Sequence, residues 1–163
     1  MQAVDHLSNE LMAAMDEAGR SYHRLVLLIG PSNSGKTQVL RQAAERVGCD
    51  VLNVNLEFSQ RMLDVARSRR PKQADRVFRE IIASQSTDIV LLDNLEVLFD
   101  TSLQLDPLRL LQLASRNQTV VASWNGTLND GLLGYAEPDH PEYKSYKNVD
   151  AITVLAGKKT LNN

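Results

Sequence analysis

Short, unbroken apolar runs alternate along the chain with longer segments whose apolar residues recur at helical spacing. Such runs indicate strands buried on both faces, as in a parallel sheet, and they lie at residues 25–29, 51–54, 88–92, 119–123 and 151–155. The periodic segments predict helices at residues 2–19, 35–47, 55–67, 73–84 and 107–116. Because strands and helices alternate, we expect an α/β fold with a parallel sheet of about five strands and helices on both faces.

Capping and helix-breaking residues set the expected ends of these elements. Asn55 is a candidate N-cap for the third helix, and Pro71 is expected to separate that helix from the next. Asp106 followed by Pro107 is typical of a helix start. Residues 126–148 have no clear period and are expected to be irregular.

The length and composition are those of one ordinary globular domain. The 163 residues suffice for a single core, with a helix and linker expected at residues 1–24 and the core at residues 25–163. The net charge of −2 gives no general signal for nucleic acid, and no apolar run is long enough to span a membrane. The only cysteine, Cys49, allows no internal disulfide, and the N-terminal segment lacks the apolar centre of a signal peptide. We therefore expect a cytoplasmic protein.

A phosphate-binding pattern, G-x-x-x-x-G-K-[ST], begins where the first predicted strand ends and a helix starts. Glycines let the backbone N–H groups approach phosphate oxygens, and the helix adds its positive N-terminal end. In this pattern the lysine contacts the β- and γ-phosphates, and the hydroxyl of Thr37 can bind Mg²⁺. The residues expected to contact the nucleotide are Gly30, Pro31, Ser32, Asn33, Ser34, Gly35, Lys36, Thr37 and Gln38.

A second carboxylate for the metal is expected at the end of a neighbouring buried strand. The apolar run that begins at Asp88 leads directly into Asp93, which matches the Walker B pattern. We therefore predict that Asp93 lies on the metal side of the nucleotide and that Thr37 and Asp93 hold Mg²⁺.

The residues after Asp93 leave the identity of the catalytic base open. Many ATPases of this class place Glu next, but here the residue is Asn94, whose amide cannot take up a proton as a carboxylate does. Glu96 is a candidate base if the strand has ended, because a turn could bring it to the γ-phosphate. If the strand continues, Glu96 lies on the same face as Asn94 and about 7 Å further along. Asn94 is a candidate for positioning water, and slow hydrolysis is an open alternative.

The fourth strand is followed by polar residues that can sense a γ-phosphate. Asn125 is the first candidate and Ser123 the second, while a turn at Asn125 and Gly126 is the alternative interpretation. ATPases of this kind often take an arginine from a neighbouring subunit. Candidates for this role are Arg109 and Arg116, which are seven positions apart on one predicted helix, together with Lys144 and Lys147.

Basic residues are densest at positions 61–79, which hold seven of the 18 lysines and arginines. Clustered basic residues can bind a nucleic acid backbone. Acidic residues interleave with them, so a solvated helix pair or a subunit contact is the favoured interpretation and DNA binding the alternative.

The order of these motifs resembles the AAA+/ASCE branch of P-loop ATPases, with Asn125 at the position called sensor 1. No Asn-Lys-x-Asp stretch typical of GTPases occurs, so ATP is expected rather than GTP. Residues 25–37, 91–99, 105–111 and 135–143 together resemble the BrxF family, the small P-loop ATPases of type 3 bacteriophage-exclusion (BREX) systems.

The BrxF resemblance implies a role in phage defence, beside a DNA methyltransferase, a phosphatase-like protein and a large ATPase. Full AAA+ proteins carry a helical lid after the α/β core, and the short segment after the last predicted strand leaves no room for one. We therefore expect a homo-oligomer or a partner to complete the site. The leading interpretation is an assembly-dependent ATPase, the alternative is a nucleotide-gated switch with little hydrolysis, and a small-molecule kinase is a third possibility.

Overall fold

A parallel sheet of five strands forms the centre of the fold. The computed structural model describes residues 2–157, with side chains from residue 5. The strands lie in the order β2 (Val51–Asn53), β3 (Ile89–Asp93), β4 (Thr119–Asn129), β1 (Leu25–Gly30) and β7 (Ile152–Leu155), and every neighbouring pair is parallel. The predicted parallel α/β fold is confirmed, and all five predicted strands exist.

Helices cover both faces of this sheet. One face carries α1 (Gln2–Ala18) and α2 (Lys36–Val47), and the other carries α3 (Val54–Met62), α4 (Arg70–Ala83) and α5 (Pro107–Ala114). Within residues 2–157, no helix has the length and apolar character needed to cross a membrane.

Strand β1 consists of an unbroken apolar run because both faces of the strand are buried. Leu25, Leu27 and Ile29 belong to the core under α3, α4 and α5, whereas Val26 and Leu28 belong to the core under α1 and α2. All five side chains are at most 1% exposed. Because successive side chains of a strand point to opposite faces of the sheet, this one apolar run contributes to both cores.

The N-terminal helix shares the core of the sheet. Leu11, Ala14, Met15 and Ala18 of α1 are buried in the same cluster as Val26 and its neighbours. Helix α1 therefore packs against the predicted core from residue 25 as far as residue 157, and Met1 lies outside the described residues. Residues 158–163 of the predicted core lie outside the described residues.

The boundaries of α3 and α4 differ from the prediction. Asn53, not Asn55, caps α3, because its side-chain oxygen accepts a hydrogen bond from the backbone N–H of Leu56 at 3.1 Å. The helix ends at Met62 rather than near residue 67. Pro71 does not lie between the helices but within the first turn of α4, where its missing N–H leaves no hydrogen bond unmade.

Contrary to the prediction, residues 126–148 are only partly irregular, because β4 continues past residue 123. The strand extends to Asn129 and pairs there, antiparallel, with β5 (Leu132–Tyr135), which pairs with β6 (Lys144–Tyr146). Asn125 and Gly126 therefore lie within a strand, and the turn alternative is wrong. The turn comes at Asp130 and Gly131, whose positive φ angles are typical of a two-residue Asp-Gly hairpin turn.

Gly126 is required by the close approach of two strands. A Cβ atom there would overlap the carbonyl oxygen of Gly134, which also accepts a hydrogen bond from the Trp124 indole N–H at 3.1 Å. We expect Gly126→Ala to destabilise the fold by about 1–3 kcal/mol, because the backbone of the hairpin must shift. Urea unfolding measures this loss.

The matched control is Gly19→Ala, at a site where a Cβ would meet its nearest atom at 3.5 Å, an ordinary contact distance. Equal free energies of unfolding for the two variants would contradict the assigned role of Gly126.

Candidate functional site

The phosphate-binding loop joins the carboxyl end of β1 to the N-terminus of α2. Gly35 caps α2 with a φ of 90°, a left-handed conformation that glycine adopts without strain. A Cβ on Gly30 would lie 2.7 Å from both the carbonyl oxygen of Ala156 and the hydroxyl of Ser34, so this glycine allows the loop to pack against the end of β7. The two glycines of the pattern therefore serve different purposes, one in backbone conformation and one in packing.

Lys36 is buried inside this loop. Its Nζ donates hydrogen bonds to the carbonyl oxygens of Gly30 and Pro31, at 2.8 and 2.6 Å, and to the hydroxyl of Ser34 at 3.2 Å. Burial lowers the pKa of Lys36, while the nearby carboxylates of Asp93 and Glu96 act in the opposite direction. The loop therefore fixes the position of a cation that faces two carboxylates.

Asp93 is the last residue of β3 and is buried. Its Oδ2 accepts a hydrogen bond from the Thr37 hydroxyl at 2.7 Å, and its Oδ1 accepts from the Ser123 hydroxyl at 2.7 Å and from the Asn94 N–H at 3.0 Å. A hydroxyl and a carboxylate are hard oxygen ligands, the kind Mg²⁺ prefers, and Mg²⁺ usually takes only one or two carboxylates besides phosphates and water. Thr37 and Asp93 thus fit the predicted metal position, while Ser123 orients the carboxylate.

The chain turns sharply after Asp93, which settles one of the alternatives. Asn94 has a φ of 58°, and Glu96 begins a 3₁₀ helix, Glu96–Phe99. The strand has therefore ended before Glu96. Its two carboxylate oxygens accept hydrogen bonds from the side-chain amides of Asn55, at 2.9 Å, and Asn125, at 2.8 Å.

Asn55 is a residue of the site that the sequence did not identify. Its side-chain oxygen accepts a hydrogen bond from the N–H of Val97 at 2.7 Å, and its own N–H donates to the carbonyl oxygen of Asn94 at 2.9 Å. It therefore holds the turn after β3 at three points. The feature of the sequence that could have identified Asn55 is its position just beyond the end of β2, because the carboxyl ends of neighbouring parallel strands lie at one edge of the sheet.

A cavity of about 530 Å³ opens over the loop and brings most of the predicted residues together. The loop and the first turn of α2 contribute Ser32, Asn33, Gly35, Lys36, Thr37 and Gln38. The end of β3 and the turn after it contribute Asp93, Asn94 and Glu96, and the middle of β4 contributes Asn125. Gly30 and Ser34 lie beneath Lys36 instead, and Pro31 faces the adjoining cavity. Arg41, which the sequence did not single out, also lines the wall, one turn beyond Thr37 on α2.

None of the candidate trans-acting residues lines this cavity. Arg109 is exposed in the first turn of α5. Arg116 lies beyond the end of α5 at Ala114, so the two arginines do not share a helical face as predicted. The guanidinium of Arg116 lies 5.1 Å from the ring centre of Tyr22, near the start of β1 and thus at the end of the sheet away from the loop. Lys144 lies in β6 and Lys147 just after it.

The basic stretch at residues 61–79 carries ion pairs of its own. Arg76 pairs with Glu80 at 2.8 Å and Arg79 with Asp75 at 2.7 Å, each one turn apart on α4. These pairs are exposed and add little stability. They reduce the free positive charge that the sequence count suggested.

Comparisons with known proteins place this site in a family. The AAA model, "ATPase family associated with various cellular activities", matches residues 26–118, more than half of the chain. Two solved structures are similar. C. elegans PCH-2 is 18% identical with a TM-score of 0.46, over 78% of this chain and 39% of that one. AMPPCP-bound DnaA from Aquifex aeolicus is 23% identical with a TM-score of 0.39, over 70% of this chain and 36% of that one.

The chain therefore spans about two fifths or less of the length of either protein. No curated protein matches it. The family match covers β1 from Val26 onward, the phosphate-binding loop, Asp93 and Glu96. The chain belongs to the AAA family of ATPases.

Proposed function

We propose that this protein binds Mg·ATP and hydrolyses it to ADP and phosphate, with Glu96 as the general base. The observation that carries the proposal is the position of the Glu96 carboxylate, which Asn55 and Asn125 hold at the wall of the cavity above Lys36. A carboxylate has about four lone-pair positions. Two hydrogen bonds therefore leave room for a water molecule.

The proposed reaction transfers the γ-phosphoryl group to water. The water oxygen forms a bond to the γ-phosphorus while the bond to the bridging oxygen of ADP breaks, and Glu96 takes the proton that the water loses. Lys36 and the N–H groups at the start of α2 bind the phosphate oxygens. Mg²⁺, when bound, supplies positive charge that offsets the negative charge on the phosphates, and Thr37 and Asp93 would hold it.

Assembly is proposed to complete the site. Among the described residues, Lys36 and Arg41 are the only lysine or arginine side chains at the cavity wall. An additional arginine or lysine from a second copy or a partner would stabilise the transition state. Arg109, Arg116, Lys144 and Lys147 remain the candidates.

The cellular role follows from the resemblance to the BrxF family. We propose that the protein acts in the cytoplasm, in phage defence of the BREX type, beside a methyltransferase, a phosphatase-like protein and a large ATPase. For residues 61–79 a solvated surface or a subunit contact stays the favoured role, and the alternative of DNA contact predicts binding that weakens steeply with salt.

A nucleotide-gated switch with little hydrolysis is the second candidate function. Two observations favour it: both Glu96 oxygens already accept hydrogen bonds, and an amide, Asn94, directly follows Asp93. In this case ATP would stabilise an assembled state, and its release would return the free chain.

Phosphate release per chain, measured over a wide range of protein concentration at saturating Mg·ATP, tests the two functions. We expect the specific rate to rise with concentration, because neighbouring copies complete the site. A rate near zero at every concentration, with ATP still bound, would favour the switch. A constant and substantial rate would contradict the dependence on assembly.

A further inference from the structure

A second cavity of about 400 Å³ adjoins the one above the phosphate-binding loop. Ser32, Glu96 and Asn125 line both cavities, so the two meet beside the position proposed for the γ-phosphate. Its outer wall comes from the β4–β5 hairpin and from the segment that follows β5, residues 136–142. The volume lies within the usual range of small-molecule sites, about 300–1,000 Å³.

The two cavities differ in charge. The first is lined by two cationic side chains, Lys36 and Arg41, and by two carboxylates, those of Asp93 and Glu96. The second is lined by three carboxylates, those of Glu96, Glu137 and Glu142, and among the described residues no lysine or arginine lines it. An anion such as phosphate is therefore repelled from the second cavity and a cation is attracted.

Tyr135 supplies a second, independent sign of a binding site. Its side chain lines the cavity, yet the residue is only 6% exposed, and its ring stacks on Phe99 with the ring centres 3.4 Å apart. Its hydroxyl forms no hydrogen bond with any described residue. Burial raises the pKa of Tyr135, and the negative charges of Glu96 and Glu142 raise it further. The cavity thus holds a neutral hydroxyl, fixed in place, that lacks a partner.

The segment that carries the acidic residues is well ordered by its own hydrogen bonds. The backbone N–H of His140 donates to the carbonyl oxygen of Glu137 at 2.8 Å, and the N–H of Glu142 donates to Nδ1 of His140 at 3.0 Å. The N–H of Ala136 donates to the carbonyl oxygen of Asn125 at 3.3 Å, which joins the segment to the middle of β4. Across residues 2–157, no three His, Cys, Asp or Glu side chains are grouped to hold a metal ion.

We propose that this cavity binds an organic cation, an amine or a guanidine, between Glu137, Glu142 and the hydroxyl of Tyr135. A carboxylate can accept two parallel hydrogen bonds from one guanidinium group. The flat ring of Tyr135 limits the approach of the cation to one side. The cation is either a free molecule or a side chain of another copy, because both present the same chemistry. Only the expected coupling to ATP rests on the proposed function: a cation there offsets negative charge next to the γ-phosphate, so each ligand tightens the binding of the other.

Titration calorimetry of the full chain without nucleotide tests the site, with N-acetylarginine amide as the probe and its neutral isostere N-acetylcitrulline amide as the control ligand. We expect the arginine compound to bind at least about tenfold more tightly than the citrulline compound. The double variant Glu137→Gln with Glu142→Gln should lose about tenfold in affinity, because both charge partners are removed. Tyr135→Phe should lose about threefold to tenfold, because one hydrogen bond is removed.

The matched control is Asp139→Asn, which removes one negative charge from the same segment at a residue that does not line the cavity. It should bind the probe as the wild type does. Absence of binding to the wild type, equal binding of the two compounds, or an equal loss in Asp139→Asn would each overturn the proposal. These outcomes do not involve the phosphate-binding loop, so they leave the proposed ATP hydrolysis untouched.

The source of the cation is distinguished by repeating the titration over a wide range of protein concentration. If a side chain of another copy fills the cavity, the probe must compete with it, and the apparent affinity falls as the protein concentration rises. If the natural ligand is a free molecule, the affinity stays constant. Both results support a cation site and differ only in its occupant.

Discussion

Lys36→Ala is expected to weaken ATP binding by about a hundredfold or more, because it removes the buried cation that we expect to contact the phosphates. Lys36 is only 6% exposed, and three loop atoms fix its Nζ. Its charge is therefore already oriented and partly desolvated before nucleotide arrives. A fluorescent ATP analogue measures the affinity directly.

The control for this variant is Lys72→Ala, which removes an exposed lysine from α4. It should bind nucleotide like the wild type. Thermal unfolding of both variants shows whether loss of the loop hydrogen bonds has destabilised the fold. A folded Lys36→Ala protein with unchanged affinity would refute the assignment of the loop.

Glu96→Gln is expected to preserve ATP binding and to lower turnover by about a hundredfold to ten-thousandfold, which is the usual contribution of a general base. Glutamine has nearly the same shape as glutamate, but its amide cannot take up the proton of the attacking water. Its oxygen can still accept a hydrogen bond from Asn55 or Asn125, so the turn after β3 should remain in place. Phosphate release at saturating Mg·ATP gives the rate, and a separate titration gives the affinity.

Glu45→Gln serves as the matched control, because this exposed residue of α2 does not line either cavity beside the loop. Its turnover should equal that of the wild type. If Glu96→Gln also retains its turnover, the base is another residue, and Glu96 only anchors Asn55 and Asn125.

The sequence could predict more of the surroundings of Asp93 than of the surroundings of Glu96. The loop from Gly30 to Thr37 and the strand that ends at Asp93 are local patterns, in which spacing alone fixes the backbone geometry. The partners of Glu96 are 41 and 29 positions away. No local pattern connects those positions, so the sequence left open whether Glu96 turns toward the loop.

The hairpin after β4 illustrates the same limit. Asn125 was predicted at the end of a strand, but the strand continues, because the core of Phe99, Trp124 and Tyr135 holds the hairpin against the sheet. Its strands β5 and β6, of four and three residues, are too short to carry a clear periodicity of their own. Only the pairing of β4 with β5 brings Tyr135 and the acidic residues beyond it to the loop.

The sequence by itself determined the parallel sheet, the phosphate-binding loop and Asp93, because apolar periodicity and glycine spacing act over a few residues. The tertiary structure alone decided that Glu96 lies between Asn55 and Asn125, that Ser123 holds Asp93, and that a second, acidic cavity adjoins the first. These arrangements depend on which strand ends meet at one edge of the sheet. The packing of segments that are distant in the sequence decides which strand ends lie together, and no short stretch of sequence encodes that packing.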